Sequence, residues 1–228
     1  MGERGKRRPR DPEATREVIL EAARTLLAKD GPEGISLSEV AHLAGVNRGT
    51  AYQHFETREK LIQATADWVS EKLFRAVFGD PATIGERRVE EVDVAGLADS
   101  LAGFAMENPE LCRVWLLQLL ASPDPGGDRF WREYVGSLTR FAATDMAEPN
   151  VDAEVLALMN LAGAFLWPVW VHAHDKSAAD RAKFARRFSD EALRLSLYGS
   201  MRPGAYPGIA ERLGGDARIA PATKPDDN

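Results

Sequence analysis

Residues 36–61 read SLSEVAHLAGVNRGTAYQHFETREKL, and this stretch decides the fold. Ser36-x-x-Glu39 is a capping box: the serine oxygen accepts from the third amide of a new helix, and Glu39 reaches back. Leu37, Val40, Ala41 and Ala44 then recur at helical spacing, with Glu39 and His42 off the apolar stripe. Gly45 falls where the chain must turn sharply, in a conformation that glycine takes at low cost. Val46 returns to the core, and Asn47 suits the N-cap of a second helix. Ala51 and Phe55 turn that helix inward. Two helices joined by a short turn containing glycine are the supersecondary unit that reads DNA.

The second helix, residues 47–55, exposes an unusually polar set. Arg48 can pair with guanine edges or phosphates, Gln53 matches the paired donor and acceptor of adenine, and Thr50 is small enough to approach either. Tyr52 and His54 have apolar bodies with polar tips, suited to touching a phosphate. Gly49 costs a helix roughly 1 kcal/mol relative to alanine; close approach of the backbone to a groove explains why it is accepted. Thr57 caps a third helix with Arg58 in its first turn, where exposed amides and a guanidinium together favour an anion.

AGVNRGTAYQHFETREKL resembles the signature of the TetR family of bacterial transcriptional regulators, from about Asp11 to Ile62. Family members carry threonine where this chain has Ser36 and lysine where it has Arg58, changes that keep the hydrogen-bonding or charge role. The resemblance implies an all-α protein, with an operator-binding domain of three helices and a C-terminal helical bundle that dimerises and encloses a small ligand. It places Ser36, Thr50, Tyr52, His54 and Arg58 at phosphates. Asn47 caps the reading helix, and Arg48, Gly49 and Gln53 lie nearest the bases.

Charge agrees with that division. The chain of 228 residues carries a net charge of −6, which argues against indiscriminate binding to nucleic acid. Residues 1–60 hold eleven basic against ten acidic side chains, and the remainder eighteen against twenty-five. Arg4, Lys6, Arg7, Arg8 and Arg10 crowd the first ten residues. That arm either follows a phosphate backbone or is a solvated tail. Cys112 is the only cysteine, so no intrachain disulfide forms and a reducing cytoplasm fits. No run of eighteen apolar residues and no apolar leader is present, which points to a protein without a membrane partner.

Outside the reading unit, helix follows helix. Asp11-Pro12 opens one that carries Val18, Ile19, Ala22, Ala23, Leu26 and Leu27 inward until about Ala28. Further helices are expected over 57–78, 93–106, 109–121, 128–147, 151–175 and 178–199, with a turn of helix near Ile209–Leu213. The organisation is a basic arm (1–10), a DNA-binding domain (11–56), a ligand-binding and dimerisation domain (57–200) and an irregular tail (201–228).

Five tryptophans follow residue 60: Trp68, Trp115, Trp131, Trp167 and Trp170. Bulky rings on several helices either fill a core or line a cavity. The family resemblance favours a cavity, and the residues expected at it are Phe104, Trp115, Leu119, Trp131, Tyr134, Trp167, Trp170 and His172. With few fixed charges there, the expected effector is apolar or amphipathic, and its binding should quench tryptophan. Pro168 removes one backbone donor inside helix 151–175 and frees the carbonyl of Ala164. Phe184 and Phe188, one turn apart, offer an apolar strip for the core or for a homodimer interface.

His172 and Asp175 share a helical face but His174 does not, so no metal site follows. Phosphate loops, nucleophile elbows and metal-binding motifs of enzymes are missing, and no cofactor is implied. The sequence thus reads as a homodimeric repressor that binds a pseudo-palindromic double-stranded operator and is released by a small effector. The alternative is a ligand-independent DNA-binding or assembly protein with a filled C-terminal core.

Overall fold

The computed structural model describes residues 11–31, 34–80, 88–174 and 180–212. They form an all-α protein. Its helices are α1 (Pro12–Asp30), α2 (Leu37–Leu43), α3 (Arg48–His54), α4 (Arg58–Phe78), α5 (Val94–Glu107), α6 (Pro109–Ala121), α7 (Arg129–Ala142), α8 (Ala153–His174), α9 (Arg181–Gly199) and α10 (Pro207–Arg212). Extended pairing among the described residues is one antiparallel bridge, Ala147 with Met201. The basic arm at 1–10, Asp175, Ser177 and the chain beyond 212 lie outside the described residues.

The chain divides into two compact units, and the division differs from the expected boundary at residue 57. The first unit comprises residues 1–69 with 110–122; the second comprises 70–109 with 123–228. Helix α4 therefore contributes to both, and α6, expected in the ligand-binding domain, belongs to the first.

In the first unit Ile19, Leu20, Ala23, Leu27, Val40, Ala51, Phe55 and Leu61 are buried. Val18, expected inward, is instead exposed while Leu20 is buried, so the buried face of α1 keeps Ile19, Ala22, Ala23 and Leu27 and widens toward Leu20 and Arg24. Asp11 caps α1 by accepting from the Glu13 amide at 3.0 Å. Gly31 ends it at φ +69°. Arg24 is 5% exposed and lies with Cζ 4.1 Å over the Trp68 ring, held by Glu17 at 2.9 Å and by Glu21. Trp68 and Trp115 thus serve the first unit rather than the second. Cys112 is fully buried, and burial pushes its thiol well above its ordinary range.

In the second unit α5 packs chiefly on α9, and α7 on α8. One cluster joins Phe141, Ala147, Leu193, Leu197, Met201 and Ile209. Another joins Ala102, Met106, Val171 and Ala185, with Trp167, Phe184 and Phe188 packed against it. The C-terminal half of α4 is tied down by polar bonds. Ser70 donates to Asp128 at 2.9 Å and accepts from the Phe130 amide at 3.1 Å, while Arg129 pairs with Glu71 at 2.8 Å.

Helix α7 stops at Ala142 instead of 147. The Thr144 hydroxyl donates to the Phe141 carbonyl at 2.7 Å and accepts from the Met146 amide at 3.3 Å. A side chain that satisfies nearby backbone in this way competes with the helix. Helix α9 begins at Arg181 rather than 178, and Asp180 makes no side-chain cap bond. Helix α8 runs unbroken through Pro168.

Candidate nucleic-acid interface and effector cavity

The turn between α2 and α3 has the expected chemistry. Gly45 adopts φ +64° with open space around its missing side chain, so the backbone angle itself requires glycine. Ser36 accepts from the Glu39 amide at 3.2 Å, but Glu39 does not reach back to the backbone. Its carboxylate accepts the Ser36 hydroxyl at 2.7 Å instead.

Asn47 caps α3, its oxygen accepting from the Thr50 amide at 2.7 Å and the Thr50 hydroxyl at 3.0 Å. A β-carbon at Gly49 would meet that same oxygen at 3.3 Å. Glycine there keeps the cap uncrowded, a local reason beside close approach to DNA.

Ala51 and Phe55 are buried, and the opposite face is open. Arg48, Gly49, Tyr52 and Gln53 are exposed, with Thr50 and His54 half-buried. Arg48 lies with Cζ 5.3 Å over the Tyr52 ring and donates to its hydroxyl at 3.4 Å. The pair presents a guanidinium braced by an aromatic face, a stiff donor for a base edge or phosphate. Gln53, next in sequence to Tyr52, is also exposed.

At the start of α4 the Thr57 oxygen accepts from the Lys60 amide at 3.2 Å. Arg58 donates from Nε to the Ile35 carbonyl at 3.0 Å and approaches Glu59 at 3.8 Å. Sequence reasoning assigned Arg58 only to phosphate, and missed that it ties α4 to the residue preceding the Ser36 cap. The partner is a backbone oxygen 23 residues away, which no local pattern announces.

Within the second unit lies a cavity of about 190 Å³. Its wall is mainly apolar: Phe78 from α4, Leu97, Ala98 and Leu101 from α5, Leu138 and Phe141 from α7, and Leu193 from α9. Tyr134 and Asn160 both line the cavity and supply one polar corner. Burial pushes the Tyr134 hydroxyl up to about 12, against the opposing pull of Asn160. At pH 7 it is a neutral donor. Glu133 and Arg140 also reach the wall, but they neutralise one another at 2.6 Å. The site therefore suits an uncharged ligand. An apolar cavity near 150 Å³ accepts benzene, so this one fits a single substituted ring.

Of the residues expected at a cavity, only Tyr134 is among those lining this one. Trp115 and Leu119 are buried in the first unit. Phe104 is half-buried and Trp131 buried, away from the wall. Trp167 stacks on Trp170 at 5.3 Å and donates to the Phe184 carbonyl at 3.1 Å. His172 is exposed, its Nδ1 2.8 Å from the Pro168 carbonyl; His174 makes the same bond to Trp170. Because no tryptophan lines this cavity, a bound compound reports directly through Tyr134 and Tyr206. Phe184 and Phe188 turn into the intramolecular cluster. The apolar residues that α8 and α9 expose are instead Val155, Leu158, Met159, Leu166 and Trp170 on α8 and Leu195 and Tyr198 on α9.

Comparison with known proteins agrees with this geometry. The sequence profile described as "Bacterial regulatory proteins, tetR family" matches residues 19–65. An HTH-type transcriptional repressor of Mycobacterium tuberculosis is 35% identical over 83 residues, covering 36% of this chain and 44% of that protein. The chain thus spans about half or less of the length of the curated relatives it matches. A regulatory protein in the tetR family from Rhodococcus RHA1 superposes with a TM-score of 0.61 at 20% identity, covering 79% of this chain and 96% of that one. The SmeT–triclosan complex gives 0.56 at 19% identity, covering 94% and 99%. At these identities the structural likeness concerns the fold.

Proposed function

Because this chain belongs to the TetR family of bacterial regulatory proteins, we propose that it is a cytoplasmic transcriptional repressor and no enzyme, binding a pseudo-palindromic operator as a homodimer. The observation that carries this reading is the face of α3. Arg48, Tyr52 and Gln53 are exposed on it while Ala51 and Phe55 anchor its back. Arg48 and Gln53 read bases; Ser36, Thr50, Tyr52, His54 and Arg58 hold phosphates, with Asn47 and Gly49 shaping the helix start.

A second copy is proposed to cover the apolar faces of α8 and α9. Helix α8 is long and apolar enough to cross a membrane by length and composition, yet only a third of that window is buried. Val155, Met159, Leu166 and Trp170 recur along one side of it, and α9, which packs on α8, exposes Leu195 and Tyr198. A self-complementary patch of this kind suits a twofold dimer.

A small neutral, largely apolar effector is proposed to occupy the cavity and release the operator. Phe78 stands on the cavity wall and ends the same helix, α4, that opens at Arg58. Displacing Phe78 would move α4, and the effector weakens DNA binding to the extent that it prefers the moved state. About 1.4 kcal/mol of preference gives tenfold release. Titrating an operator complex with single-ring neutral compounds tests this. Compounds that bind near Tyr134 should lower operator affinity; compounds that bind there with no effect on affinity would leave the ligand-independent alternative.

A further inference from the structure

The walls of the cavity are not equally firm. Most are helices of 14 to 22 residues locked into the bundle. The exceptions are the short turn at Val89–Val92 before α5 and the chain after α9, and the second is the one with a fastening at its far end. Its start is pinned: the Glu148 amide donates to the Ser200 carbonyl at 2.9 Å, and the Arg202 amide to the Met146 carbonyl at 3.0 Å. Beyond that it runs Pro203-Gly204-Ala205-Tyr206-Pro207-Gly208, two Pro-Gly pairs around one aromatic.

Tyr206 lines the cavity and meets Phe141 edge-on at 6.3 Å, and Ile209 is buried among Phe141, Leu193 and Leu197. The end of the segment is then fastened. Arg212 grips Asp99 with both ends of its guanidinium, at 2.7 and 3.1 Å, and donates further to Asp190 at 2.8 Å and to Ser189 at 3.1 Å. Ser189, fully buried, donates to the same Asp99 oxygen at 2.5 Å. Asp99 follows the cavity residues Leu97 and Ala98 on α5, and Ser189 and Asp190 follow Phe188 on α9. The fastening thus joins the segment to two helices that wall the same cavity.

We infer that residues 203–212 form a hinged lid on the cavity, with Arg212 as its latch and Tyr206 as its inner face, and that the effector enters and leaves by its opening. The inference rests on the cavity being the effector site. This element can swing away without unfolding a helix of the bundle, and unlike the short turn at Val89–Val92, which also reaches the wall, it is fastened at its far end by a charged side chain. Its hinge is the Pro-Gly sequence after the pinned Arg202. Its closed state depends on the ion pairs of Arg212 with Asp99 and Asp190 and on two apolar anchors, Tyr206 and Ile209.

The probe is p-cresol, a neutral single ring with a hydroxyl for Tyr134 or Asn160, followed by ligand NMR exchange in the full-length protein. Breaking the latch with Arg212→Ala should raise both association and dissociation rates about tenfold or more, the worth of a charge-assisted hydrogen bond. Affinity should change by much less, because the Tyr134 corner is untouched. Asp99→Asn breaks the same fork from α5 and should act alike, which guards against a variant that folds poorly. Arg194→Ala, at an exposed ion pair elsewhere on α9, should exchange like the parent. Hydrogen exchange gives a reading without ligand: the Ile209 amide, bonded to the Tyr206 carbonyl at 3.1 Å, should lose protection in Arg212→Ala. If p-cresol binds and the latch variants exchange at the parent rate with Ile209 still protected, the lid is wrong and the cavity stands. If p-cresol binds neither parent nor variants, cavity and lid fall together.

Discussion

Arg58 and Ile35, 23 residues apart, are joined by a 3.0 Å hydrogen bond from the arginine Nε to the isoleucine carbonyl. One side chain thus both braces the reading unit and carries charge where a phosphate is expected. Arg58→Ala should therefore lower operator affinity on all sequences and reduce the salt slope by about one. It should also cost about 1 kcal/mol of stability, seen as a fall of about 2–4 °C in Tm. Arg58→Lys keeps the charge and should retain the salt slope while losing much of the stability. An Arg58→Ala protein with unchanged Tm would show that the Ile35 bond contributes nothing.

Gly45 sits at φ +64° in open space, so a methyl group there meets strain but no clash. Gly45→Ala should destabilise by about 1–2 kcal/mol, the cost of the left-handed region for an ordinary residue. Asn, which tolerates that region, should cost less. Equal melting curves for the parent and Gly45→Ala would contradict the backbone argument.

Two titrations follow from the second unit. Burial alone would raise the Asp99 carboxyl. Bonds from Arg212 and Ser189, with the charges of Arg212 and Arg186, hold it below its ordinary 3.8. A depressed carboxyl stabilises the fold above the unfolded value, and that stability is lost as pH falls through the folded one. Asp99→Asn should therefore flatten the acid limb of a stability–pH curve. Tyr134 behaves in the opposite sense. Raised by burial to about 12, it stabilises below pH 10 and loses that contribution as pH climbs through 12. Burial raises Tyr206 as well, so ultraviolet titration should show two tyrosines ionising late, and Tyr134→Phe should remove one of them.

The exposed apolar faces of α8 and α9 give a prediction on assembly. Met159→Glu and Leu195→Glu place charges at positions 62% and 68% exposed, so neither should disturb the fold of one chain. Both should weaken self-association by tenfold or more, since a buried unpaired charge costs several kcal/mol. Sedimentation that shows dimers of unchanged affinity in both variants would place the interface elsewhere.

What the sequence disclosed and what it hid differ by range. Gly45, Asn47, Thr57 and the buried pair Ala51 and Phe55 act on neighbours within one turn, and their roles were readable from spacing. The helices themselves were legible for the same reason, apart from ends such as that of α7, where Thr144 outcompetes the backbone. The cavity was not. Tyr134 was expected there, but its companions are ordinary residues such as Leu97, Leu193 and Tyr206, brought together from distant helices. The tryptophans drew attention by size and are engaged elsewhere: Trp115 in the first unit, Trp167 and Trp170 against each other. Tyr206 and Arg212 fall in a stretch rich in glycine and proline that reads as irregular, because a latch closed by Asp99 leaves no local periodicity.

The account rests on α3 reading DNA, and selection of bound duplexes from a random-sequence library tests that most directly. The parent protein should enrich a pseudo-palindrome whose half-sites are centred about 34–36 Å apart or a multiple of that. Gln53→Ala should relax preference at one position in each half-site, by about 1–3 kcal/mol, and Arg48→Ala should weaken or shift the motif. A library that yields no motif, or one bound with the same preference and affinity by the parent, Gln53→Ala and Arg48→Ala, would contradict it.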